Sequence, residues 1–342
     1  MRKCVNNKMM EGKYYKKING EIQCLLCPQN CIIKEGKYGI CMVRKNQNGK
    51  IVPENYGKVS ALHPDPIEKK PLYHFHPGQA ILSVGTFGCN LKCKFCQNYD
   101  ISQSKVTDLL NRETYEPEDI IRIAVEMEDN HGIAYTYNEP IIWFEFVMET
   151  AAKAHHEGLY NVMVSNGFIN QKPLFDLLHV IDAWNVDLKA FTEDFYRKYT
   201  SSKLLPVKES IKNIKKAGKH LEITNLVIPT LNDDENRFRE MVKWISDETG
   251  KDTVLHISRY FPTYRMNIPA TPVSTLERFY DIASEYLNYV YLGNVATSIG
   301  KDTYCPECNN LIISRSGYST QIKGLTTQGH CTNCDKKILE YV

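Results

Sequence analysis

The sequence predicts an α/β protein with a partial barrel in the middle of the chain, a cysteine-rich region before it and a smaller cysteine module after it. Three observations predict this fold class. From about residue 80 to residue 298, short β-branched or apolar runs alternate with amphipathic helical stretches. The residues before this part are rich in turn signals, and eleven of the twelve cysteines fall into three tight groups. We therefore expect three units, residues 1–78, 79–299 and 300–342.

The repeated alternation predicts a mainly parallel sheet with helices packed on its outside. Runs such as AILSVGT, GIAYTY and YNVMVS alternate with helical stretches such as PEDIIRIAVEMEDN, which begins with proline and two acidic residues. We expect seven strands, near residues 81, 133, 161, 184, 222, 254 and 289. Seven is one fewer than a closed eight-stranded barrel needs, so we expect an open barrel with functional side chains at the carboxyl ends of its strands.

The composition excludes several classes of function. The 42 lysines and arginines against 40 acidic residues leave a net charge of +2, which gives no general attraction to nucleic acid or to an anionic membrane. No apolar run approaches the ~20 residues that cross a bilayer, and the N-terminus lacks the apolar centre of a secretory signal. We expect a cytoplasmic protein with no membrane or nucleic-acid partner. Because disulfides are rare in the cytosol, the grouped cysteines are expected to ligate metals, while Cys4 stands alone.

The central cysteines, Cys89, Cys93 and Cys96, have the spacing C-x3-C-x2-C and follow the first expected strand. Three thiolates can hold three corners of a cubane iron–sulfur cluster and leave its fourth iron open to another ligand. Two other interpretations are a zinc site that lacks one ligand and three buried thiols without a metal. The position directly after a strand, in a chain of repeated strand–helix units, favours the cluster.

Polar residues follow the next strands, where a parallel sheet would bring them together. They are Asn138 and Glu139 after the second strand, Ser165 and Asn166 after the third, and Asp187 and Lys189 after the fourth. A period of two places Asp187 and Lys189 on one side of their strand, and a charge inside an apolar strand is costly unless it is paired. Simple turns and a surface salt bridge are the alternative interpretations of these residues.

The central motif resembles the signature of the radical S-adenosylmethionine (SAM) superfamily, including the aromatic Phe95 before the last cysteine. The resemblance implies a (β/α)6-type partial barrel and a [4Fe–4S] cluster on these cysteines. It also implies reductive cleavage of SAM to a 5′-deoxyadenosyl radical, which abstracts hydrogen from a substrate. Phe95 would lie near the adenine of SAM, and an electron donor such as ferredoxin or flavodoxin would be a partner.

The later strand ends resemble those of the glycyl-radical-enzyme activases. By this resemblance the SAM-binding positions are Asn138, Glu139, Ser165, Asn166, Asp187, Lys189, Val227, His256 and Arg259. Glu139 would bind the SAM ammonium, and the charges of Asp187 and Lys189 would both face SAM. His256 would contact the ribose, although a lone histidine is more often an ordinary core residue, and Arg259 could hold a carboxylate.

Two segments complete the resemblance to the activases. The backbone around Val227 would lie beside the adenine of SAM. Ser165, Asn166 and Gly167 look like the activases' Thr-Asn-Gly segment, in front of which those enzymes carry an acidic residue that helps to bind a monovalent cation. Here that position is Val164, so the sequence does not support a cation site of that kind.

Over nearly the whole chain, the sequence is most similar to the radical SAM enzymes of the AmmeMemoRadiSam system. The segments that carry this resemblance are CLLCPQNC, HPDPIEKKPLYHFHPG, LSVGTFGCNLKCKFCQNYDIS, TYNEP and HISRYFP. Membership implies association with AMMECR-type and Memo-type proteins. The expected reaction is hydrogen abstraction from a small-molecule or peptide substrate. The alternatives are an activase that forms a glycyl radical on a partner protein and a non-catalytic iron–sulfur or zinc scaffold.

The two outer cysteine groups each supply four thiolates. The N-terminal group is Cys24, Cys27, Cys31 and Cys41, and the C-terminal group is Cys305, Cys308, Cys331 and Cys334. The irregular spacing of the N-terminal group leaves zinc and a second iron–sulfur cluster both open. The C-terminal group consists of two C-x2-C pairs separated by 22 residues, which predicts a structural zinc, with a rubredoxin-like iron as the alternative.

Overall fold

The structure, a computed structural model, describes residues 10–104 and 113–342, so Cys4 lies outside the described residues. The N-terminal region begins with a three-stranded antiparallel sheet of β1 (Tyr15–Ile18), β2 (Glu21–Cys24) and β3 (Ile32–Ile33). A hairpin of β4 (Arg44–Gln47) and β5 (Lys50–Pro53) follows. Asn48 and Gly49 join its strands with positive φ angles, 56° and 70°, as a two-residue hairpin turn requires.

The central sheet has eight strands. They are β6 (Ala61–Pro66), β7 (Ala80–Gly85), β8 (Asn130–Tyr135), β9 (Tyr160–Ser165), β10 (Ala183–Asp187), β11 (His220–Val227), β12 (Val254–Arg259) and β13 (Val290–Gly293). Strands β7 to β13 are parallel and lie side by side in chain order. All seven lie where the sequence predicts them. Since β6 and β13 are the two edges of the sheet, the predicted open barrel is confirmed.

Strand β6 was not predicted. It pairs antiparallel with β7, with Asp65 opposite Ile81, and it contains Pro64 and Pro66. Proline has no backbone N–H to donate, so within sheets it is largely confined to edge strands, and β6 is one. The central sheet therefore includes a strand from before residue 79, and the division into three units stays a prediction.

Helices cover the outer face of the sheet. They are α1 (Tyr99–Ser102), α2 (Pro117–Glu126), α3 (Phe144–His156), α4 (Gln171–Leu178), α5 (Glu193–Phe195), α6 (Leu204–Lys216), α7 (Glu235–Thr249) and α8 (Val273–Ser284). Fully buried side chains such as Tyr135, Met163 and Trp184 belong to the core between the strands and the helices. Of the helices in these two ranges, none has the combination of length and hydrophobicity that crossing a bilayer requires.

A segment of the chain fills the inner face of the sheet near the start of its strands. Ile67, Leu72 and Phe75 pack there against Ala134 and Val162, which alternate along their strands with residues of the outer core. This packing excludes solvent from the amino end of the sheet. The carboxyl ends of the strands carry the polar residues that the sequence predicts to form a site.

The C-terminal module is a three-stranded antiparallel sheet that packs beside β12 and β13. Its strands are β14 (Thr303–Tyr304), β15 (Leu311–Ser316) and β16 (Ser319–Ile322). Ile312 and Ile313 of this module share an apolar cluster with Tyr289 and Tyr291 of the barrel. The Arg315 guanidinium donates a 2.8 Å hydrogen bond to the Tyr73 carbonyl, which ties the module to the segment that fills the inner face.

Candidate functional site

The loop after β7 carries the central cysteines and is held from two sides. The Asn138 side chain accepts a hydrogen bond from the Thr86 N–H at 3.2 Å and donates one to the Gly88 carbonyl at 2.7 Å. Gly88 has a φ of 89°, and a Cβ atom at this position would lie 2.5 Å from the Cys41 carbonyl oxygen. Only glycine therefore fits where the loop passes against the N-terminal region. Asn138, predicted as a SAM contact, acts here as the clamp of the cysteine loop.

The three central thiols fit a cluster better than a single metal ion. Zinc bound by thiolates at ~2.3 Å requires its ligand sulfurs within about 4 Å of one another. Within residues 10–104 and 113–342, the C-terminal cysteines are the one group of three or more such ligands whose atoms all lie within 4.8 Å of one another, so the thiols of Cys89, Cys93 and Cys96 are not all that close together. In a cubane each thiolate binds a different iron, which suits a wider triangle.

Burial keeps the thiols of Cys89 and Cys93 protonated until a metal binds. It raises the pKa of Cys89 well above the ordinary value for a thiol and the pKa of Cys93 to about 12. The backbone N–H of Leu91 donates to the Cys89 sulfur at 3.4 Å, a contact that favours the thiolate. Iron would therefore have to displace protons on binding, which couples loading of the site to pH.

Glu139 is a buried carboxylate, with 1% of its surface exposed, at the centre of the site. One oxygen accepts from the Ile141 N–H at 3.0 Å and the Ser165 hydroxyl at 2.9 Å, and the other accepts from the Asn166 N–H at 2.8 Å. Burial raises the pKa of Glu139 to about 7 even though these donors lower it, and Asp187 adds to the rise. Three donors leave one acceptor position of the carboxylate open by count.

Asn166 joins this carboxylate to the cysteine loop. Its side-chain nitrogen, Nδ2, lies 2.9 Å from the Asn90 side-chain oxygen and 3.8 Å from the Cys89 sulfur. Asn90 in turn donates a 2.8 Å hydrogen bond to the Phe168 carbonyl. Asn90 was not predicted as a site residue. Its position directly after the first cysteine is the only signal that the sequence offers for it.

Asp187 and Lys189 form the ion pair that their spacing predicts, with 2.9 Å between the Lys189 Nζ and an Asp187 oxygen. The Lys189 Nζ lies 6.0 Å from the centre of the Phe95 ring. Burial lowers the pKa of Lys189, but the negative charge of Asp187 outweighs this effect and raises it above the ordinary value. Lys189 is therefore a permanent cation beside the cysteine loop.

Comparison with known proteins decides the family. Residues 83–245 match the Radical SAM superfamily, and this range includes the central cysteines and the polar residues around them. The chain belongs to the radical SAM superfamily. An uncharacterized protein of Methanocaldococcus jannaschii is 41% identical over 334 residues, which are 96% of this chain and 99% of that protein.

Two further comparisons place this radical SAM protein more broadly. A putative glycyl-radical enzyme activating enzyme of M. jannaschii is 27% identical over 173 residues, which cover 48% of this chain and 63% of that one. SuiB of Streptococcus suis, bound to S-adenosylmethionine, aligns in structure with a TM-score of 0.51 and 13% identity, over 67% of this chain and 53% of that one. The protein has the radical SAM fold and is related to the activating enzymes, and the fold implies a [4Fe–4S] cluster and SAM.

Val227 and Arg259, two further predicted SAM contacts of this radical SAM protein, are linked through Thr271. The Thr271 hydroxyl donates to the Val227 carbonyl at 2.6 Å, and the Arg259 Nε donates to the Thr271 carbonyl at 2.8 Å. The Arg259 guanidinium lies 4.9 Å from the centre of the Phe261 ring. Both residues are at the carboxyl ends of their strands, as predicted, and their contact with SAM stays a prediction.

His256 lies level with Asp187 in the sheet register, because each pairs with Thr224 of β11. Its imidazole is buried and lies 2.6 Å from a Glu222 oxygen. This ring is therefore part of the barrel interior of the radical SAM protein, which is the alternative that the sequence left open for a lone histidine. Its contact with the ribose stays a prediction.

Glu222 was not predicted, although it is the most densely bonded carboxylate of the barrel interior. It accepts hydrogen bonds from the backbone N–H groups of Tyr73 and His74 at 2.7 to 2.9 Å and lies 2.9 Å from the His220 ring. The rings of His220 and His256 hold the pKa of Glu222 well below the usual range despite its burial. The signal was a charged residue inside the apolar strand HLEITNLV, which must be paired when buried.

The C-terminal cysteines form a compact metal site. Cys305 and Cys334 have sulfurs 3.5 Å apart, and those of Cys308 and Cys331 are 3.6 Å apart. All four sulfurs lie within 4.8 Å of one another, so the group could bind a metal ion. Burial raises the pKa of Cys331, but donation from backbone N–H groups outweighs this effect and lowers it to about 6, which favours a thiolate ligand.

The N-terminal cysteines line one partly open cavity. Cys24, Cys27 and Cys41 are buried, and Cys31 is partly exposed. The cavity wall also includes Arg44, Gln29 and Asn90. The structure therefore brings together the four cysteines that the sequence predicts to share a metal, next to the loop of the central cysteines.

Proposed function

We propose that this radical SAM protein cleaves SAM reductively and uses the resulting 5′-deoxyadenosyl radical to abstract hydrogen from a small-molecule or peptide substrate. One observation carries the proposal: three thiols too far apart for a single ion lie on the loop after β7, beside the buried Glu139 and the partly buried Lys189. A [4Fe–4S] cluster held by three cysteines supplies the electron that breaks the sulfonium carbon–sulfur bond of SAM.

The residues of the chain would bind and orient SAM. The open acceptor position of Glu139 suits the SAM ammonium, because a carboxylate and an ammonium form a charge-assisted hydrogen bond. Lys189, kept charged by Asp187, offers a cation to the SAM carboxylate. Phe95 has 4% of its surface exposed and presents its ring beside that cation, where it would support the adenosine. Asn166 would hold the Glu139 carboxylate and Cys89 in fixed relation.

The test is a SAM-cleavage assay on anaerobically reconstituted protein with dithionite as reductant. We expect 5′-deoxyadenosine and methionine in equal amounts from the wild-type chain. Cys93→Ala should abolish both products and lower the iron content, since it removes one of the three cluster ligands. Cys308→Ala is the matched control, because it removes a thiol from the C-terminal group and should leave SAM cleavage in place. Unchanged cleavage by Cys93→Ala would overturn the proposal.

Formation of a glycyl radical on a partner protein is the second candidate, favoured by the similarity to a putative activating enzyme over 173 residues. Against it, the segment with Leu72 and Phe75 and the C-terminal module both cover the inner face of the barrel, additions that simple activation does not need. Turnover with SAM deuterated at the 5′ carbon, followed by mass spectrometry, separates the two. Deuterium on a small molecule or peptide supports the first, and an oxygen-sensitive glycyl radical on a protein supports the second.

The proposed function also implies an electron donor, protein partners and a second metal. Its electron donor would be a ferredoxin or flavodoxin in the cytoplasm, and AMMECR-type and Memo-type proteins would be its partners. The C-terminal cysteines would hold a structural zinc, since their compact arrangement suits a tetrahedral ion. Co-purification of tagged protein from an anaerobic extract tests the partners. If the protein were the non-catalytic scaffold, it would bind these partner proteins but would not cleave SAM.

A further inference from the structure

We propose that Cys24, Cys27, Cys31 and Cys41 hold a second [4Fe–4S] cluster, which passes electrons to the cluster on the central cysteines. Which metal these four cysteines bind does not depend on the proposed function. The role of the second cluster as an electron relay does rest on the proposed function. The alternative occupant of the four thiols is a structural zinc ion.

The spacing of the four thiols favours a cluster over zinc. In the part of the chain that the structure describes, the C-terminal cysteines are the one group of three or more ligands whose atoms all lie within 4.8 Å of one another. The N-terminal thiols line a single cavity, yet no three of them are that close together, whereas a tetrahedral zinc brings its sulfurs within about 4 Å of one another. Four thiolates that each bind a separate iron of a cubane have this wider arrangement.

The wall of the cavity supplies a donor to sulfur. The Ile40 N–H lies 3.5 Å from the Cys31 sulfur as a donor. The Arg44 guanidinium also lines the cavity, but it is paired with the buried Glu145 carboxylate at 2.9 Å. An N–H donor to sulfur stabilises the reduced form of an iron–sulfur cluster, because reduction adds negative charge.

The cavity lies directly behind the loop of the central cysteines. The Cys41 carbonyl packs against Gly88, the residue before Cys89, so closely that no side chain fits there. Asn90 lines the cavity, and its carbonyl accepts a 2.9 Å hydrogen bond from the Gln29 side chain. Through Asn166, the Asn90 side chain is also bonded to the surroundings of the Cys89 sulfur.

The two thiol groups lie on segments that touch, since the Cys41 carbonyl packs against Gly88. Electron transfer slows steeply with distance, so two centres on touching segments can exchange electrons rapidly. Cys31 is the partly exposed ligand, at which a donor protein could deliver an electron.

The relay step involves one electron and no proton. A low-potential one-electron donor, such as reduced flavodoxin, is oxidised as the N-terminal cluster is reduced. That cluster is oxidised again when it reduces the central cluster, and the electron finally breaks the carbon–sulfur bond of SAM. The N-terminal cluster thus returns to its starting state after each turnover.

The metal is tested on the full chain with Cys89, Cys93 and Cys96 all changed to Ala, reconstituted anaerobically. We expect about four iron and four sulfide per chain, and a dithionite-reduced [4Fe–4S] signal in electron paramagnetic resonance that SAM does not alter. Zinc without iron at the N-terminal group would overturn the proposal. This measurement does not depend on SAM cleavage, so it can fail or succeed separately from the proposed function.

The relay is tested with Cys24→Ala/Cys27→Ala, and with Cys305→Ala/Cys308→Ala as the control for lost thiols elsewhere. The N-terminal variant should keep a SAM-responsive central cluster and should be reduced by flavodoxin at least tenfold more slowly than wild type, measured by stopped-flow absorbance. If this variant does not fold, Gly88→Ala provides the second test, because it should displace Cys41 from the loop and slow the same step. Reduction of the central cluster at the wild-type rate in the folded variants would overturn the relay.

Discussion

The backbone N–H of Asn166 donates a 2.8 Å hydrogen bond to the buried Glu139 carboxylate, which connects the ends of two neighbouring strands. The same asparagine reaches the Cys89 sulfur with its side chain, 3.8 Å away. The acid expected to bind SAM and the first cluster ligand are therefore held by one residue. A change at either end of this connection should affect binding of SAM before it affects the fold.

Glu139→Gln should weaken SAM binding at least tenfold, which corresponds to about 1.4 kcal/mol. The substitution keeps the size of the side chain and removes the charge that pairs with an ammonium, an interaction typically worth about 1.5–3 kcal/mol. The measurement is the Kd of SAM for anaerobic, cluster-loaded protein. Glu149→Gln, at an exposed position of α3, is the matched control. A Kd within twofold of wild type for Glu139→Gln would contradict the assignment of this residue.

The pH dependence of SAM binding should follow Glu139. Burial raises its pKa to about 7 in the SAM-free protein, from an ordinary value of 4.5. Because the ammonium requires the carboxylate, affinity should fall as the pH drops below about 7, by up to tenfold per unit. The Kd of SAM measured from pH 6 to pH 8 checks this, and the slope should disappear in Glu139→Gln.

The raised pKa of Glu139 also makes the stability of the fold depend on pH, but stability falls as the pH rises, whereas SAM affinity increases. Between about 4.5 and about 7 the folded, SAM-free protein holds a proton on Glu139 that the unfolded chain has released. The stabilisation from this group is complete below the unfolded pKa and is lost as the pH rises through about 7. A saturating concentration of SAM should remove this loss, which thermal unfolding with and without SAM would show.

The strands could be predicted from local pattern because their apolar runs are short and continuous. Strand β6 escaped prediction because the evidence for it is not local. Pro64 and Pro66 argue against a strand in any window of sequence, and only the free edge of β7 makes one possible.

The residues of the site also fall into those that the local sequence predicts and those that it does not. Glu139 and Asp187 stand next to strand ends, where topology alone places them together. Glu222 depends on donors from Tyr73 and His74, nearly 150 residues earlier in the chain, and no spacing rule connects these segments. The arrangement of the N-terminal thiols is likewise a property of packing, since cysteine spacing alone left both zinc and a cluster open.

Arg44→Met should destabilise the protein by about 3–5 kcal/mol, because it leaves the buried Glu145 carboxylate without its cationic partner. Arg44 contacts both Glu145 oxygens at 2.9 Å, and the two side chains have 1% and 2% of their surface exposed. This pair joins the N-terminal region to α3. The double variant Arg44→Met/Glu145→Leu should recover much of the loss. The free energy of unfolding in urea is the measurement, and Arg237→Ala in an exposed pair should change it by less than about 1 kcal/mol.

His74 should make the protein sensitive to mild acid. Its Nε2 lies 2.7 Å from the Tyr291 hydroxyl, and burial lowers its pKa from 6.5 to about 3. The unfolded chain therefore binds a proton on His74 before the folded protein does, so stability is lost as the pH falls from about 6.5 toward 3. The unfolding temperature should fall less between pH 7.5 and pH 5.5 for His74→Gln than for wild type. His156→Gln, at an exposed position, is the control and should show the same fall in unfolding temperature as wild type.

Removal of the C-terminal metal should loosen the module without affecting the iron content. Cys308→Ser takes one of four sulfurs from a site whose members lie within 4.8 Å, and three remaining ligands hold a structural zinc much more weakly. We expect the loss of about one zinc per chain and a lower unfolding temperature, because the metal helps to fix Ile312 and Ile313 against Tyr291 of the barrel. Metal analysis of the folded variant is the measurement. Zinc content equal to wild type would contradict the site, and a simultaneous loss of iron would mean that the module supports the central cluster through the Arg315–Tyr73 contact.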